Sequence, residues 1–442
     1  MKANEGFSRK NWSILILFGL IGQIAWSVEN MYFNLFVFEK ISPNLDAITL
    51  MVQLSGITAT VVTLVAGTLS DKLGNRRTFL SLGYTIWGVT VGLFGLISPE
   101  NFSEIFNMPL TKAVGVCLFL VIFGDCVMTL FGSSANDAAF NAWVTDNTET
   151  SYRGTVEGVV SILPLVAMLI VAGGFGIIKD IVGYPALFIG LGAVITASGI
   201  YGLFSVKDSP ALKKSGSMKD LFYGFKPRVI KGNASLYVTL LIILVYGIAC
   251  QIFMPYLIIY MTTFLSFSVI EYSIVFGGAI IIGAAINIYL GNLSDRLNKS
   301  KLLYIAVGVM ALGLFAMYLA RFDNHIATLI IFAIAGFVMI TGYIFVSSLC
   351  GSITRDYTPP ENAGKLQGVR MIFSVLLPMV FGPMIGNAIN KARNIPLPDM
   401  GSADAMTTSY IPAPEIFLVG AIFTTLIFIL IPILVKITKK DK

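Results

Sequence analysis

The sequence predicts an all-α membrane protein: twelve transmembrane helices, built as two six-helix bundles related by a pseudo-two-fold. Three observations carry this expectation. Of 442 residues, 56% are hydrophobic and only 12% are charged, against about a quarter charged in a soluble domain, and the mean hydropathy is +0.82. The apolar residues fall into twelve separate runs, each near the roughly 20 residues a spanning helix needs. The two halves of the chain also repeat each other's loop sequences.

The first run, about 12–38, follows Lys2, Arg9 and Lys10. It is too long for a signal-peptide core, so it reads as a retained first helix. The next five runs are about 46–70, 76–97, 113–145, 154–178 and 183–206. A basic connection from Lys207 to about Ala234 follows, with Pro210, Gly216, Pro227 and Gly232. Its segment MKDLFYGFKPRVIKG mixes aromatics with lysines; it either lies partly on the inner leaflet or is a plain charged linker. Six further runs cover about 235–264, 270–293, 301–320, 324–353, 365–390 and 413–436. Barrel strands would be shorter and would alternate strictly. The domains expected are therefore an N-terminal bundle (1–206), a cytoplasmic linker (207–234) and a C-terminal bundle (235–442).

Orientation follows from Lys and Arg. With both termini inside, only six of the 30 fall outside: Lys40, Lys112, Lys179, Arg321, Lys391 and Arg393. That bias over short loops is a positive-inside pattern, and it accounts for the net charge of +6 without any nucleic-acid partner. Cys117, Cys126, Cys250 and Cys350 lie in apolar stretches without CxxC spacing, so neither a disulfide framework nor a metal site is expected. The single histidine, His325, stands at the edge of a span. No nucleophile–histidine pair, P-loop or soluble catalytic domain is legible, which argues against an enzyme.

The internal repeat is specific. GTLSDKLGNRR (67–77) returns as GNLSDRLNKSK (291–301), and NAWVTDNTETSYRGTVEG (141–158) as GSITRDYTPPENAGKLQG (351–368). The second match sets Asp146 on Asp356. Two six-helix repeats around a central cytoplasmic loop are a transporter architecture.

GTLSDKLGNRR resembles the helix 2–3 motif of the major facilitator superfamily, with Gly67, Asp71, Gly74, Arg76 and Arg77 matching. The repeat supplies Asp295 and Arg296. The resemblance implies that this loop acts in the conformational switch, with Asp71 engaging the N-terminus of helix 11 or Arg370. GQIAWSVEN (22–30) is similar to a helix 1 stretch of sucrose/H+ symporters. NDAAFNAWVTD (136–146) and PPENAGKLQGVRMIF (359–373) resemble segments of the glycoside–pentoside–hexuronide:cation symporters, although Ala139 stands where that group has proline. There Asp137 would take the place of a sugar-binding carboxylate. The stretch TATVVTLVAG (58–67) lacks the carboxylates that melibiose-type members use for sodium. A proton is therefore the expected coupling ion, with sodium the alternative and no other cofactor.

Intramembrane acids are functional candidates because burying a charge costs roughly 2.5–3.5 kcal/mol on insertion scales. Glu29, Asp125, Asp137 and Glu157 lie within predicted spans. Glu29 is placed in the outer half with Gln23, Trp26, Asn30 and Asn34 as a polar stripe suited to sugar. Asp137 falls near the midplane. Asp125, twelve residues earlier, is about 120° away on an ideal helix and on another face. Glu157 reads better as a structural charge. In the second half, Gln251 and Tyr256 are the chosen inward-facing candidates; Tyr246, Tyr260, Asn287 and Tyr343 share their composition. No dense basic cavity for anions is expected. The whole reads as a secondary transporter in the plasma membrane, a monomer surrounded by lipid, moving a neutral glycoside or oligosaccharide with a proton. A proton-coupled drug or metabolite antiporter is the alternative, with a receptor or enzyme behind it.

Overall fold

The computed structural model describes residues 7–149, 153–209, 223–294, 299–359, 363–397 and 409–438. The first helices are α1 (Arg9–Ile41), α2 (Leu45–Leu73), α3 (Arg76–Phe94) and α4 (Leu110–Asn147). A 51-residue helical stretch, Thr155–Ser205, comes next. At 1.5 Å per residue it would run about 77 Å, more than twice a bilayer core of about 30 Å. It breaks at Gly183, whose φ of +78° favours glycine, and Pro185 follows. The break yields α5 (153–182) and α6 (184–205).

Beyond the linker come α7 (Ala234–Phe264), α8 (Val269–Ser294), α9 (Lys299–Leu319), α10 (His325–Tyr357), α11 (363–393) and α12 (Glu415–Thr438). Among the described residues, ten helices are long and apolar enough to cross a membrane. Joining α3 to the short helix Pro99–Ile105 across their 80° bend makes eleven, and the break at Gly183 makes the predicted twelve. Predicted and observed ends agree within about four residues. The only strands described, β1 (Ile395–Pro396) and β2 (Tyr410–Ile411), pair antiparallel between α11 and α12.

The chain forms two compact units. One is Met1–Ser42 with Ile57–Met218; the other is Pro43–Gly56 with Lys219–Lys442. In the first unit α3 packs along α6. A Cβ at Gly88 would fall 2.3 Å from the Thr196 nitrogen, and one at Gly199 equally near the Thr85 nitrogen. Small residues let backbones touch where lipid offers no hydrophobic drive. In the second unit α7 lies against α11 and α12, and α9 against α10. Outward residues are apolar, with Phe204 80% and Ile181 77% exposed, as a lipid-facing surface requires.

One feature of the helices is absent from the sequence reading. Wider π-helical turns interrupt α1 at Glu29–Phe33 and Val37–Ile41, α4 at Ser133–Phe140, α7 at Tyr260–Phe264 and α11 at Ile372–Leu376. Such turns occur often at functional sites. Two of the candidate carboxylates, Glu29 and Asp137, stand in them.

Candidate functional site

In the first unit the polar residues gather where α1, α3 and α4 meet. Asp137 is half-buried in the π-turn of α4. Its carboxylate accepts a hydrogen bond from Asn136 Nδ2 at 3.4 Å, with the Ser133 hydroxyl and the Trp26 indole beside it. The amide of Asn141 donates to the Asp137 carbonyl at 3.1 Å, supplying a donor where the wider turn displaces the regular ladder. No basic side chain pairs with Asp137 among the described residues.

Tyr84 of α3 fixes Asn136. Its hydroxyl donates to the Phe18 carbonyl at 2.6 Å and stands 2.9 Å from Asn136 Oδ1. Gly22 of α1 makes room, because a Cβ there would lie 2.4 Å from both the Tyr84 hydroxyl and Asn136 Oδ1. Trp87 backs Trp26 with ring centroids 4.9 Å apart, and Tyr84 meets Trp87 at 5.4 Å. The result is a carboxylate with an amide and a hydroxyl beside it and a half-buried indole face across from it. Such a group can hydrogen-bond hydroxyls and exchange a proton.

The structure brings Trp26 and Asp137 together but divides the expected stripe on α1. Glu29 is 7% exposed and turns toward α4, where the Thr129 hydroxyl donates to it at 3.3 Å. Asp125, 1% exposed, lies one turn from Thr129 on the same helix. Asn30 is exposed and donates to the Trp26 carbonyl at 2.8 Å; Asn34 is buried and donates to the Asn30 carbonyl at 3.1 Å. Gln23 is half-buried on α1. Asp125 lies in the regular part of α4, ahead of the π-turn that holds Asp137. Thr129 approaches α1 at Glu29, as Asp137 approaches it at Trp26. Glu157 is exposed.

In the second unit Tyr256 is fully buried. Its hydroxyl donates to the Pro383 carbonyl at 2.9 Å and lies 2.7 Å from Thr49 Oγ1. These partners make Tyr256 a packing residue. Gln251 is half-buried, and α11 approaches it closely at Gly382. Tyr246 donates to the Tyr343 carbonyl at 3.1 Å. Near the start of α2 and the end of α11, Asn387 Nδ2 donates to Asp46 at 2.5 Å, and the Tyr410 hydroxyl lies 2.9 Å from Asn387 Oδ1. Burial first, then the Asp46 charge, push the Tyr410 hydroxyl up to about 12.

The loop motif closes on itself within the first unit. Buried Arg76 pairs with Asp71, with Asp146 at 3.0 Å, and with the Ser70 hydroxyl at 2.6 Å. Asp208 accepts from the backbone nitrogens of Arg76 and Arg77, both at 2.9 Å, and the Asn75 side chain caps Thr78. Together they satisfy the N–H groups at the start of α3. Arg77 itself reaches the Leu203 carbonyl. Gly74 has φ +63°, as its turn requires; Gly67 only makes ordinary contact with Ala138. Asp295 and Arg296 lie outside the described residues. Arg370 lines a cavity of the second unit, with Arg355.

The sequence reading overlooked Tyr84, Trp87, Gly22 and Asp208. Tyr84 and Trp87 resemble interface aromatics in an apolar run, and only the polar NDA run of α4 pointed toward their partner.

A family model for the Major Facilitator Superfamily matches residues 15–383. The chain belongs to the major facilitator superfamily. It is a membrane transporter rather than an enzyme. No curated protein matches it. Among solved structures, the nucleoside transporter NupG is 12% identical, with TM-score 0.67, covering 96% of this chain and 98% of that one. A bacterial homologue of the human lysosomal transporter Spinster, inward-facing and unoccupied, is 14% identical with TM-score 0.69, covering 98% and 99%. A bacterial metal transporter is 12% identical with TM-score 0.58, covering 97% and 99%. At such identities the likeness concerns the fold.

Proposed function

We propose that this transporter carries a neutral, hydroxyl-rich solute, a glycoside or oligosaccharide, together with a proton, by alternating access of two bundles. Asp137 supports this reading. It is a half-buried carboxylate whose close neighbours Asn136, Ser133 and Trp26 are all neutral, on a π-turn facing Trp26. Neutral neighbours leave the carboxylate free to take a proton, and a carboxylate beside an indole face suits the hydroxyl edge and apolar face of a sugar. Glu29 with Asp125 forms a second acidic place on the same two helices. Under this reading the termini are cytoplasmic, by the Lys and Arg bias, and the membrane is the plasma membrane.

A nucleoside is the second reading. The Trp26–Trp87 pair offers a flat face to a base as readily as to a sugar, and the fold is shared with a nucleoside transporter.

The test is uptake by reconstituted vesicles under an imposed proton gradient without sodium, over a panel of sugars and nucleosides. Asp137→Asn should abolish accumulation and weaken binding about 10- to 100-fold, the value of one hydrogen bond to a charged group (~1.5–3 kcal/mol). Accumulation equal to the parent's would make Asp137 structural. A requirement for sodium would sink the proton assignment, and expulsion of substrate would favour the antiporter.

A further inference from the structure

The connection from α3 to α4 carries the short helix Pro99–Ile105, and all its residues are described. α3 has 19 residues, so at 1.5 Å per residue it runs about 28 Å, close to the roughly 30 Å of a bilayer core. The short helix starts five residues beyond its end, where α3 has just left the hydrocarbon. It turns off by 80°. With α3 crossing the membrane, the short helix lies near the membrane plane.

The sequence accounts for the turn. Ser98 caps the new helix by accepting from the Asn101 nitrogen, and Pro99 takes its first position, where a missing N–H leaves nothing unpaired. At the far end the Ser103 hydroxyl donates to the Met108 carbonyl at 2.7 Å. The backbone nitrogens of Phe102, Phe106 and Met108 donate to carbonyls within the same segment, at 3.0–3.1 Å. A connection that pairs its own backbone groups can approach lipid, where an unpaired loop cannot.

Its side chains sort by direction. On a 3.6-residue period Phe102, Ile105 and Phe106 share one flank about 100° wide, and Glu100 and Glu104 centre about 170° from it. Pro99 and Ser103 fall between, on the side that rests on α4. Ile105 is 72% and Phe106 59% exposed, and both glutamates are exposed. The apolar flank continues the exposed apolar residues at the adjoining ends of two spanning helices, Leu93 and Leu96 beside α3 and Leu110 at the start of α4. A helix dipping back into the bilayer would drag the acidic flank with it, whereas one lying in the plane keeps the two flanks in different media.

We propose that this helix is an interfacial anchor on the outer leaflet, with Ile105 and Phe106 among the acyl chains and Glu100 and Glu104 in water. The lipid it fits is zwitterionic, because PENFSEI carries two acids and no base and gains nothing from an anionic surface. The choice of leaflet rests on the topology proposed above; the position at the boundary does not.

The experiment puts an environment-sensitive fluorophore on cysteines introduced into the full chain: Ile105→Cys and Phe106→Cys on one flank, Glu100→Cys and Glu104→Cys on the other. The parent gives the labelling background; Cys117, Cys250 and Cys350 are buried. In phosphatidylcholine vesicles, the probes meet iodide in the water or a nitroxide carried shallow or deep on the lipid. The apolar-flank probes should be quenched most by the shallow nitroxide, and about threefold less by iodide than the acidic-flank probes. Added phosphatidylglycerol should not increase the shallow quenching; an increase would overturn the zwitterionic assignment. Equal iodide quenching on both flanks would put the helix in water, and stronger quenching by the deep nitroxide would make it re-entrant. Protection of Ile105→Cys and Phe106→Cys from all three quenchers would mean that protein covers them. Each of these overturns the anchor. A membrane-impermeant maleimide should label Glu104→Cys on intact cells. Labelling only after lysis would overturn the outer leaflet through the topology, while the quenching judges the boundary position by itself.

Discussion

Gly22→Ala tests whether the polar cluster of the first unit is as tightly assembled as its distances say. A methyl group there would stand 2.4 Å from the Tyr84 hydroxyl and from Asn136 Oδ1. Neither can retreat freely, since the hydroxyl is bound to the Phe18 carbonyl at 2.6 Å and the Asn136 amide is bound to Asp137. Overpacking of this kind costs about 1–3 kcal/mol. Losing the Tyr84–Asn136 bond adds about 1 kcal/mol, and the better helix propensity of alanine returns up to about 1 kcal/mol. The net is about 1–3 kcal/mol, and the Asn136–Asp137 hydrogen bond is strained with it. The expected outcome is a lower melting temperature and a substrate affinity reduced about tenfold, measured by scanning fluorimetry and by uptake in vesicles. Tyr84→Phe removes one of the two clashing atoms. In a double-mutant cycle, Gly22→Ala with Tyr84→Phe should therefore cost at least about 1 kcal/mol less than the sum of the singles. Additive singles, or a Gly22→Ala protein indistinguishable from the parent, would refute the close packing and the route from Gly22 to Asp137.

Two further outcomes concern regions away from that cluster. Arg76→Gln leaves Asp71 and Asp146 without their shared cation; because both acids are partly exposed, the loss should be about 1–3 kcal/mol rather than that of a fully buried pair, read as a fall in melting temperature that Lys10→Gln does not reproduce. The neutral Tyr410 hydroxyl is held above its ordinary value near 10, up to about 12. Its contribution should be complete below pH 10 and fade as the pH rises from 10 to about 12, and Tyr410→Phe should lose that part of the alkaline decline in a pH series of melting curves.

Hydropathy and loop charge made the twelve crossings legible, because lipid imposes a length and a composition on every span. Asp137 was legible for the same reason, as a charge no bilayer tolerates without purpose. Its surroundings were not. Tyr84 and Gly22 lie 53 and 115 residues away in a chain whose period says nothing of which helices touch. Glu29 was read into one stripe with Trp26 and Asn30 because an unbroken 3.6-residue period was assumed across a segment that contains a π-turn, and no residue type marks such a turn. Asp71 was assigned a partner on helix 11 by resemblance; the partner described for it within its own unit, Arg76, stands five residues along.

Each half of the chain fastens a basic residue near the start of its third helix to the acid that ends its fourth, Arg76 to Asp146 and Lys299 to Asp356. The acids occupy matching places in the repeat. The cations do not: aligned residue for residue, Lys299 falls on Asn75, and Ser300 takes the place of Arg76. The duplicated halves have thus kept a clasp while letting its anchor slide by one position. A change at Ser300 or Asn75 is to be judged by the clasp it adjoins, and a tally of identities between the halves would count as divergence what is the same mechanical joint.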